Sequence, residues 1–190
     1  MTTHAPRSPI PAACVLFLLL AWIVPVTGQT AYAELAISAR PDSLVDHVTV
    51  AYGEPFTAYV VLVGPEGGPL PFGLQRLDWA LLGSCCGGAP AQVVQVDGWP
   101  GFTDTGDPSV GRTTEALDCA TGDVVPIATL TFLWMFPPTG VFYLAVGALN
   151  PAVRCDGGTE ILLGRSLEVT PTGITPAAAT TWGRLKVRYR

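Results

Sequence analysis

Basic and charged side chains are scarce in this sequence, and their scarcity excludes several classes of protein. Only 13% of the 190 residues are charged, and lysine occurs once, at Lys186. Between residues 34 and 183 there are 15 acidic residues against five arginines, a net charge of −10. A body this acidic offers no basic surface for nucleic acid. No stretch shows the apolar period of 3.6 residues typical of an amphipathic helix, which excludes a helical fold.

The first 33 residues have the layout of a secretory signal peptide. A short basic region precedes an apolar run over residues 12–26, and Ala31-Tyr32-Ala33 supplies small residues for cleavage before Glu34. Cys14 lies inside that run, which excludes a lipidated cysteine after it. A spanning helix needs ~20 apolar residues, and this run is shorter and contains proline. We therefore expect export to the exterior or cell surface, with the periplasm as alternative, and no membrane span after cleavage.

Four cysteines remain after the predicted cleavage, and an even number in an exported chain indicates disulfides. They are Cys85, Cys86, Cys119 and Cys155. The α-carbons of the two neighbours lie ~3.8 Å apart, whereas disulfides prefer ~5.5–6 Å. We therefore expect the neighbours each to bond one of the two distant cysteines, in an order that the sequence leaves open. A zinc site is the alternative, but zinc cysteines usually come in pairs two to four residues apart.

Eight or nine short segments rich in β-branched and aromatic residues are separated by glycine and proline turns. This pattern predicts an all-β fold, an antiparallel immunoglobulin-like β-sandwich over residues 34–170. Residues 125–149 contain two such segments around Pro137-Pro138-Thr139-Gly140, which predicts a central β-hairpin. Alternate residues of both arms form apolar rows, which we expect to centre the core. The rows are Leu130, Phe132, Trp134 and Phe136, then Phe142, Leu144, Val146 and Ala148.

The apolar strand pattern disappears over residues 97–123, and a long irregular stretch inside a domain is usually functional. Its aromatic residues Trp99 and Phe102 are candidate contacts for a sugar ring or a protein; the alternative is that they cover the end of the sandwich. Its carboxylates are candidate ligands for calcium, which prefers oxygen; alternatively, the aspartates stabilise turns. The candidate calcium ligands are Asp97, Asp104, Asp107 and Asp118.

Signals of catalysis are weak, and we expect a protein that is not an enzyme. Asp97 with Glu115 or Asp118 is a candidate acid/base pair for a glycosidase, which needs carboxyls ~5–9.5 Å apart, but any acidic loop offers such pairs. His47 is the only histidine after residue 33. A lone histidine with serine and aspartate nearby in sequence does not define a triad, because triads are recognised by geometry.

The end of the chain differs in composition from the body. Residues 171–180 are rich in proline, threonine and alanine and predict a semi-extended linker. Residues 181–190 hold four of the ten basic residues, which predicts that this tail binds a sorting receptor or an anionic surface; the alternative is a loose terminus. The candidate tail residues are Trp182, Arg184, Lys186, Arg188, Tyr189 and Arg190.

Three segments resemble those of cohesin modules and carbohydrate-binding sandwiches of secreted bacterial proteins. They are residues 54–62 (EPFTAYVVL), 77–81 (LDWAL) and 127–132 (IATLTF), and the resemblance extends over residues 36–169. The tail is similar to short Trp-Gly-x-x-Lys endings of exported bacterial proteins, which implies sorting or surface attachment. We therefore expect a secreted, non-catalytic module that binds carbohydrate or protein through residues 97–123. A structural subunit of an extracellular assembly is the alternative, and a glycoside hydrolase is a third hypothesis.

Overall fold

The computed structural model describes residues 33–82 and 90–173, and the chain forms thirteen strands and one 3-10 turn (Pro65–Gly67) in these ranges. The predicted signal segment up to residue 32, Cys85, Cys86 and the basic tail lie outside the described residues. Within those ranges, no helix is long and apolar enough to cross a membrane. The strands are β1 (Glu34–Ser38), β2 (His47–Ala51), β3 (Phe56–Val63), β4 (Leu74–Leu82), β5 (Ala91–Gly98), β6 (Phe102–Asp107), β7 (Gly111–Ala120), β8 (Val124–Trp134), β9 (Phe142–Ala148), β10 (Ala152–Arg154), β11 (Thr159–Glu160), β12 (Leu163–Arg165) and β13 (Leu167–Thr172).

Two sheets form the predicted β-sandwich. The first sheet has the order β12-β1-β3-β8-β5, and the second has the order β11-β10-β4-β9-β13-β2, with β7 on β4 and β6 on β7. The strands exceed the eight or nine expected, because short strands such as β10, β11 and β12 carry no apolar alternation of their own. The sheets are mixed rather than wholly antiparallel, since β1 is parallel to β12 and β2 is parallel to β13.

The inward rows of both sheets form the predicted core. Leu130 and Phe132 on β8 and Phe142, Leu144 and Val146 on β9 are at most 8% exposed. Side chains alternate along a strand, so one row of each strand faces the other sheet and the other row faces outward. Burial of the inward rows confirms the core predicted from these segments, except at the end of the first row, where Phe136 is 47% exposed.

The predicted hairpin over residues 125–149 is wrong, because its two arms lie in different sheets. Strand β8 pairs with β3 and β5, whereas β9 pairs with β4 and β13. The connection over residues 135–141 is too long for a tight turn and carries the chain from one sheet to the other. The apolar rows therefore meet face to face across the core, and the rings of Trp134 and Phe142 contact each other with centroids 5.7 Å apart.

The predicted irregular stretch over residues 97–123 is also wrong, because β6 and β7 form an antiparallel hairpin there. Thr105 lies opposite Thr113, and β7 continues the sheet by pairing with β4. Threonine favours strands as strongly as many apolar residues do. The hairpin was missed because both of its faces carry polar side chains, so no apolar alternation marks it.

A buried polar network attaches this hairpin to the core. The indole Nε1 of Trp79 donates to Thr114 Oγ1 at 2.9 Å, and the Thr114 hydroxyl donates to Asp104. The Arg112 guanidinium lies 3.4 Å from Asp104 Oδ2, and these two side chains are 13% and 6% exposed. Opposite charges and hydrogen bonds therefore offset part of the cost of burying polar groups under β6 and β7.

The disulfide joins Cys119 to Cys155, so the expectation that each bonds one of the vicinal cysteines is wrong. Both β7 and β10 pair with β4 near Leu74, which brings their ends together with a Cα–Cα distance of 5.7 Å. Gly73 has a φ of 64° beside this bond, and a Cβ there would overlap the Cys119 sulfur. A glycine is therefore required where the two sulfurs approach the backbone.

Replacing both Cys119 and Cys155 by serine should lower the free energy of unfolding by about 3–4 kcal/mol, because the bond closes a loop of 36 residues. Chemical denaturation of the two proteins measures the difference. Peptide mapping without reduction should yield a Cys119–Cys155 peptide, and a Cys119 peptide linked to any other cysteine would contradict the pairing.

Replacing Gly98 by alanine should lower the free energy of unfolding by about 1–3 kcal/mol, since overpacking a filled site is destabilising. A Cβ at Gly98 would overlap Asp104 Oδ2 and push the carboxylate away from its partners. Thermal denaturation measures the loss. Gly140→Ala is the matched control, because a Cβ there meets nothing within 4 Å; equal losses in both variants would contradict the close approach.

Candidate functional site

The outward residues of β6, β7, β4 and β9 form one exposed surface, which we call the ligand face. At its centre the Asp78 carboxylate accepts hydrogen bonds from Thr113 Oγ1 at 2.7 Å and from Asn150 Nδ2 at 3.0 Å. Arg76 contacts the same carboxylate at 3.4 Å and lies 3.6 Å from Glu115. These five side chains from β4, β7 and the end of β9 hold each other in a fixed arrangement of donors and acceptors.

The Asp78 carboxylate is held in its charged form. The hydrogen bond from Thr113 is the main cause that lowers its pKa, and Asn150 and Arg76 lower it further against the opposing effect of burial. Its side chain is 20% exposed, whereas those of Arg76 and Glu115 are 47% and 53% exposed. The ligand face therefore has a fixed anion at its centre and accessible charges of both signs beside it.

Exposed apolar side chains surround this polar centre. Leu82 and Leu149 are about half exposed at the ends of β4 and β9, Leu117 on β7 is 68% exposed, and Val110 in the β6–β7 turn is 78% exposed. Scattered exposed apolar residues are normal, but here four of them lie around one cluster of oriented polar groups. Apolar anchors beside satisfied polar groups are typical of surfaces that bind proteins.

Sequence reasoning missed this surface, although a signal for it was present. Arg76 and Asp78 alternate with the buried Leu77 and Trp79, which places them together on the outward side of one strand. That alternation indicates a solvated strand face in most proteins. Only the pairing of β4 with β7 adds Thr113 and Glu115, and the pairing could not be inferred while residues 97–123 carried no strand signal.

The structure separates the four aspartates predicted to bind calcium. Asp97 faces outward on the first sheet, and Asp118 is exposed on β7. The side chain of Asp104 is buried on the inner side of β6. The Asp107 carboxylate accepts from both the amide and the hydroxyl of Ser109 at 2.7 Å, which stabilises the β6–β7 turn and lowers the pKa of Asp107. In residues 33–82 and 90–173, no three His, Cys, Asp or Glu side chains are grouped to hold a metal ion. Calcium binding stays a prediction, without a clustered ligand set to support it.

The two predicted aromatic contacts also lie in different environments. Trp99 follows β5 and packs edge to face against Tyr59 on the outer side of the first sheet, with ring centroids 6.1 Å apart. Phe102 lies opposite Ala116 and packs against the core. Trp99 therefore remains a surface candidate, whereas Phe102 contributes to packing.

The groups considered for hydrolysis are not arranged as catalytic pairs. Asp97 points outward from the first sheet and Glu115 points outward from the second, so the core lies between them. The side chain of His47 is 80% exposed, and its nearest charged partner is the adjacent Asp46 at 3.4 Å. Neither arrangement places an acid and a base on one substrate.

A cleft of about 690 Å³ opens at the seam between β5 and the β6–β7 turn. Core side chains such as Phe132 and Leu144 form its floor, and Arg112 lies in its wall. Its size falls within the range of small-molecule sites. The Arg112 guanidinium makes this wall polar.

Replacing Thr113 by valine should raise the pKa of Asp78 toward its ordinary value, because the strongest hydrogen bond to the carboxylate is lost. A lowered pKa in the folded state stabilises the protein above the unfolded pKa, and this stabilisation is lost as the pH falls through the folded value. The variant should therefore lose less stability on acidification than the wild type does. An NMR titration of the Asp78 carboxyl carbon measures the change.

Thr105→Val is the matched control, since Thr105 lies directly opposite Thr113 in the hairpin and gives no hydrogen bond to Asp78. An unchanged Asp78 titration in the Thr113 variant would contradict the role of this hydroxyl.

Comparison with known proteins bears on the fold. No protein-family model matches the sequence, and no curated protein matches it. The structure is similar to a cohesin module from a family 33 glycoside hydrolase of Clostridium perfringens, with 14% identity, 75% of this chain and 98% of that chain covered, and a TM-score of 0.54. It is also similar to the seventh ScaB type I cohesin from Pseudobacteroides cellulosolvens, with 12% identity and a TM-score of 0.51. That match covers 77% of this chain and 96% of the cohesin. At these identities the likeness is one of architecture, and the chain has the fold of a cohesin-like β-sandwich.

Proposed function

We propose that this protein is a non-catalytic module that binds a protein ligand through the ligand face. The observation that carries the proposal is the cluster around Asp78, where three side chains, Thr113, Asn150 and Arg76, orient a charged carboxylate on an exposed sheet. Polar groups that are already held in place lose little side-chain entropy when a partner binds. The exposed leucines around the cluster supply the apolar area that a stable interface needs.

The cohesin-like fold supports a binding role rather than catalysis. Asp78 and Asp107 are hydrogen-bonded at the surface, Asp104 is buried in the network on the inner side of β6, and Asp97 and Glu115 lie on opposite sheets. A flat sheet face suits a broad protein contact better than it suits a small substrate, which binds in a concave pocket.

An extracellular setting is part of the proposal. The Cys119–Cys155 bond supports it, because disulfides persist in oxidising compartments and are rare in the cytosol. The predicted signal segment supports the same setting. In this view the disulfide holds β7, and with it one side of the ligand face, against the end of β10.

Substitution of Leu149 or Leu117 by arginine should weaken partner binding at least tenfold, or about 1.4 kcal/mol, because each places an unpaired charge in the contact. The full chain, immobilised, is used to capture proteins from the medium of the cells that produce it. A specific partner should be retained by the wild type and lost by both variants, and its affinity is then measured by calorimetry.

Ile161→Arg is the matched control, since Ile161 is 63% exposed and lies between β11 and β12, outside the four strands that form the ligand face. Capture of the same partner by the wild type, the control and both variants alike would overturn the proposed surface. Concentration-dependent self-association blocked by the Leu149 variant would instead identify the partner as a second copy of this chain, as a subunit of an assembly would require.

A further inference from the structure

We infer that the outer side of the first sheet carries a second binding site, a shallow trough that takes a neutral polysaccharide. It lies on the opposite side of the sandwich from the ligand face and shares no residue with it. Its lining comes from the outward residues of three neighbouring strands, β3, β8 and β5. They are paired in register as two rows, Tyr59–Thr129–Asp97 and Thr57–Thr131–Gln95.

The shape of the trough follows from the sizes of these side chains. Along these two rows the central strand β8 presents the short Thr129 and Thr131, which form a low floor, and the exposed Leu133 follows them on the same strand. Gln95 and Asp97 on β5 stand higher and form one wall, and Tyr59 on β3 stands higher on the other side, next to the short Thr57. Because β8 is flanked on both sides, the floor runs along the strand and suits an elongated ligand.

An aromatic pair closes one end of the trough. Trp99 follows directly after β5, and its backbone amide donates to Ile127 at 3.0 Å, which fixes the chain at this point. Its ring packs edge to face on Tyr59, and both side chains are partly exposed. An aromatic ring beside hydroxyl and amide groups offers an apolar face and a polar edge together. A pyranose ring requires this combination, since it has an apolar C–H face and hydroxyls at its rim.

The charges of the lining select against anionic ligands. The only charged residue of the trough is Asp97, and its carboxylate already accepts a hydrogen bond from Gln95 Nε2 at 2.8 Å. No cation belongs to the seven lining side chains, so the acidic groups of a uronate or sulfated polymer would find no partner and would be repelled by Asp97. Hydroxyls of a neutral chain can both donate to this carboxylate and accept from the threonines.

The test uses affinity electrophoresis of the full chain in gels containing soluble β-glucan, xylan or amylose, with polygalacturonate as the anionic comparison. We expect retardation by at least one of the neutral polymers and none by polygalacturonate. Trp99→Ala should weaken that interaction at least tenfold, whereas Trp99→Phe should retain most of it. Absence of retardation by all three neutral polymers would overturn the inference, as would equal binding by Trp99→Ala.

A second variant separates loss of the trough from loss of the fold. Thr129→Ile keeps a β-branched side chain in the strand but removes the hydroxyl and raises the floor, so it should weaken binding without lowering the melting temperature. Tyr143→Ala is the matched control, because Tyr143 is a partly exposed aromatic on the outward side of β9, in the other sheet. Weakening of glycan binding by the control as strongly as by Thr129→Ile would contradict a site in the trough. The arginine variants of the ligand face should leave glycan binding unchanged, so the two proposals can fail independently.

Discussion

The pairing of β4 with β7 is the contact on which the rest of the second sheet depends, because hydrogen bonds between side chains join these strands on both of their faces. On the inner face Trp79 donates to Thr114, and on the outer face Asp78 accepts from Thr113. Residues 78 and 79 of β4 therefore bond residues 113 and 114 of β7 on opposite faces of the sheet. The inner bond lies in the core, where a polar group without a partner is costly. A polar hairpin can join an apolar sandwich only where its inward groups find such partners.

The same contact links stability to the candidate binding surface. Strand β4 also pairs with β9 and β10, so it positions most of the strands that form the ligand face. The Cys119–Cys155 bond joins the ends of β7 and β10, which are the two neighbours of β4 at its start. A slip of β4 by one residue would exchange Trp79 for Asp78 in the core, because neighbouring side chains point to opposite faces. Fixing the register of one strand therefore fixes both the core and the chemistry of the surface.

The sequence predicts which residues are buried between the two sheets, but it predicts little of which strands pair with each other. Burial follows from the alternation of residues such as Leu130, Phe132 and Leu144, so the core rows and the two-layer architecture were predictable. Alternation does not say which strand pairs with which, and the arms around residues 135–141 fit equally well as a hairpin or as strands of opposite sheets. The β6–β7 hairpin gave no signal, because most of its inward side chains, such as Asp104, Arg112 and Thr114, are polar and form a buried network rather than an apolar row. The disulfide partners depend on that hairpin, and for this reason they were predicted wrongly.

The two outward surfaces differ because different strands contribute to them. Around Asp78 the sheet carries ions of both signs and exposed leucines, whereas the row of Thr129 and Thr131 carries hydroxyls, one carboxylate and no cation. Two packed sheets lie about 10 Å apart, with the buried rows of both filling the space between them. A ligand on one surface therefore does not occlude the other. The proposed protein ligand and the proposed neutral sugar chain would therefore occupy opposite sides of the sandwich without competing for space.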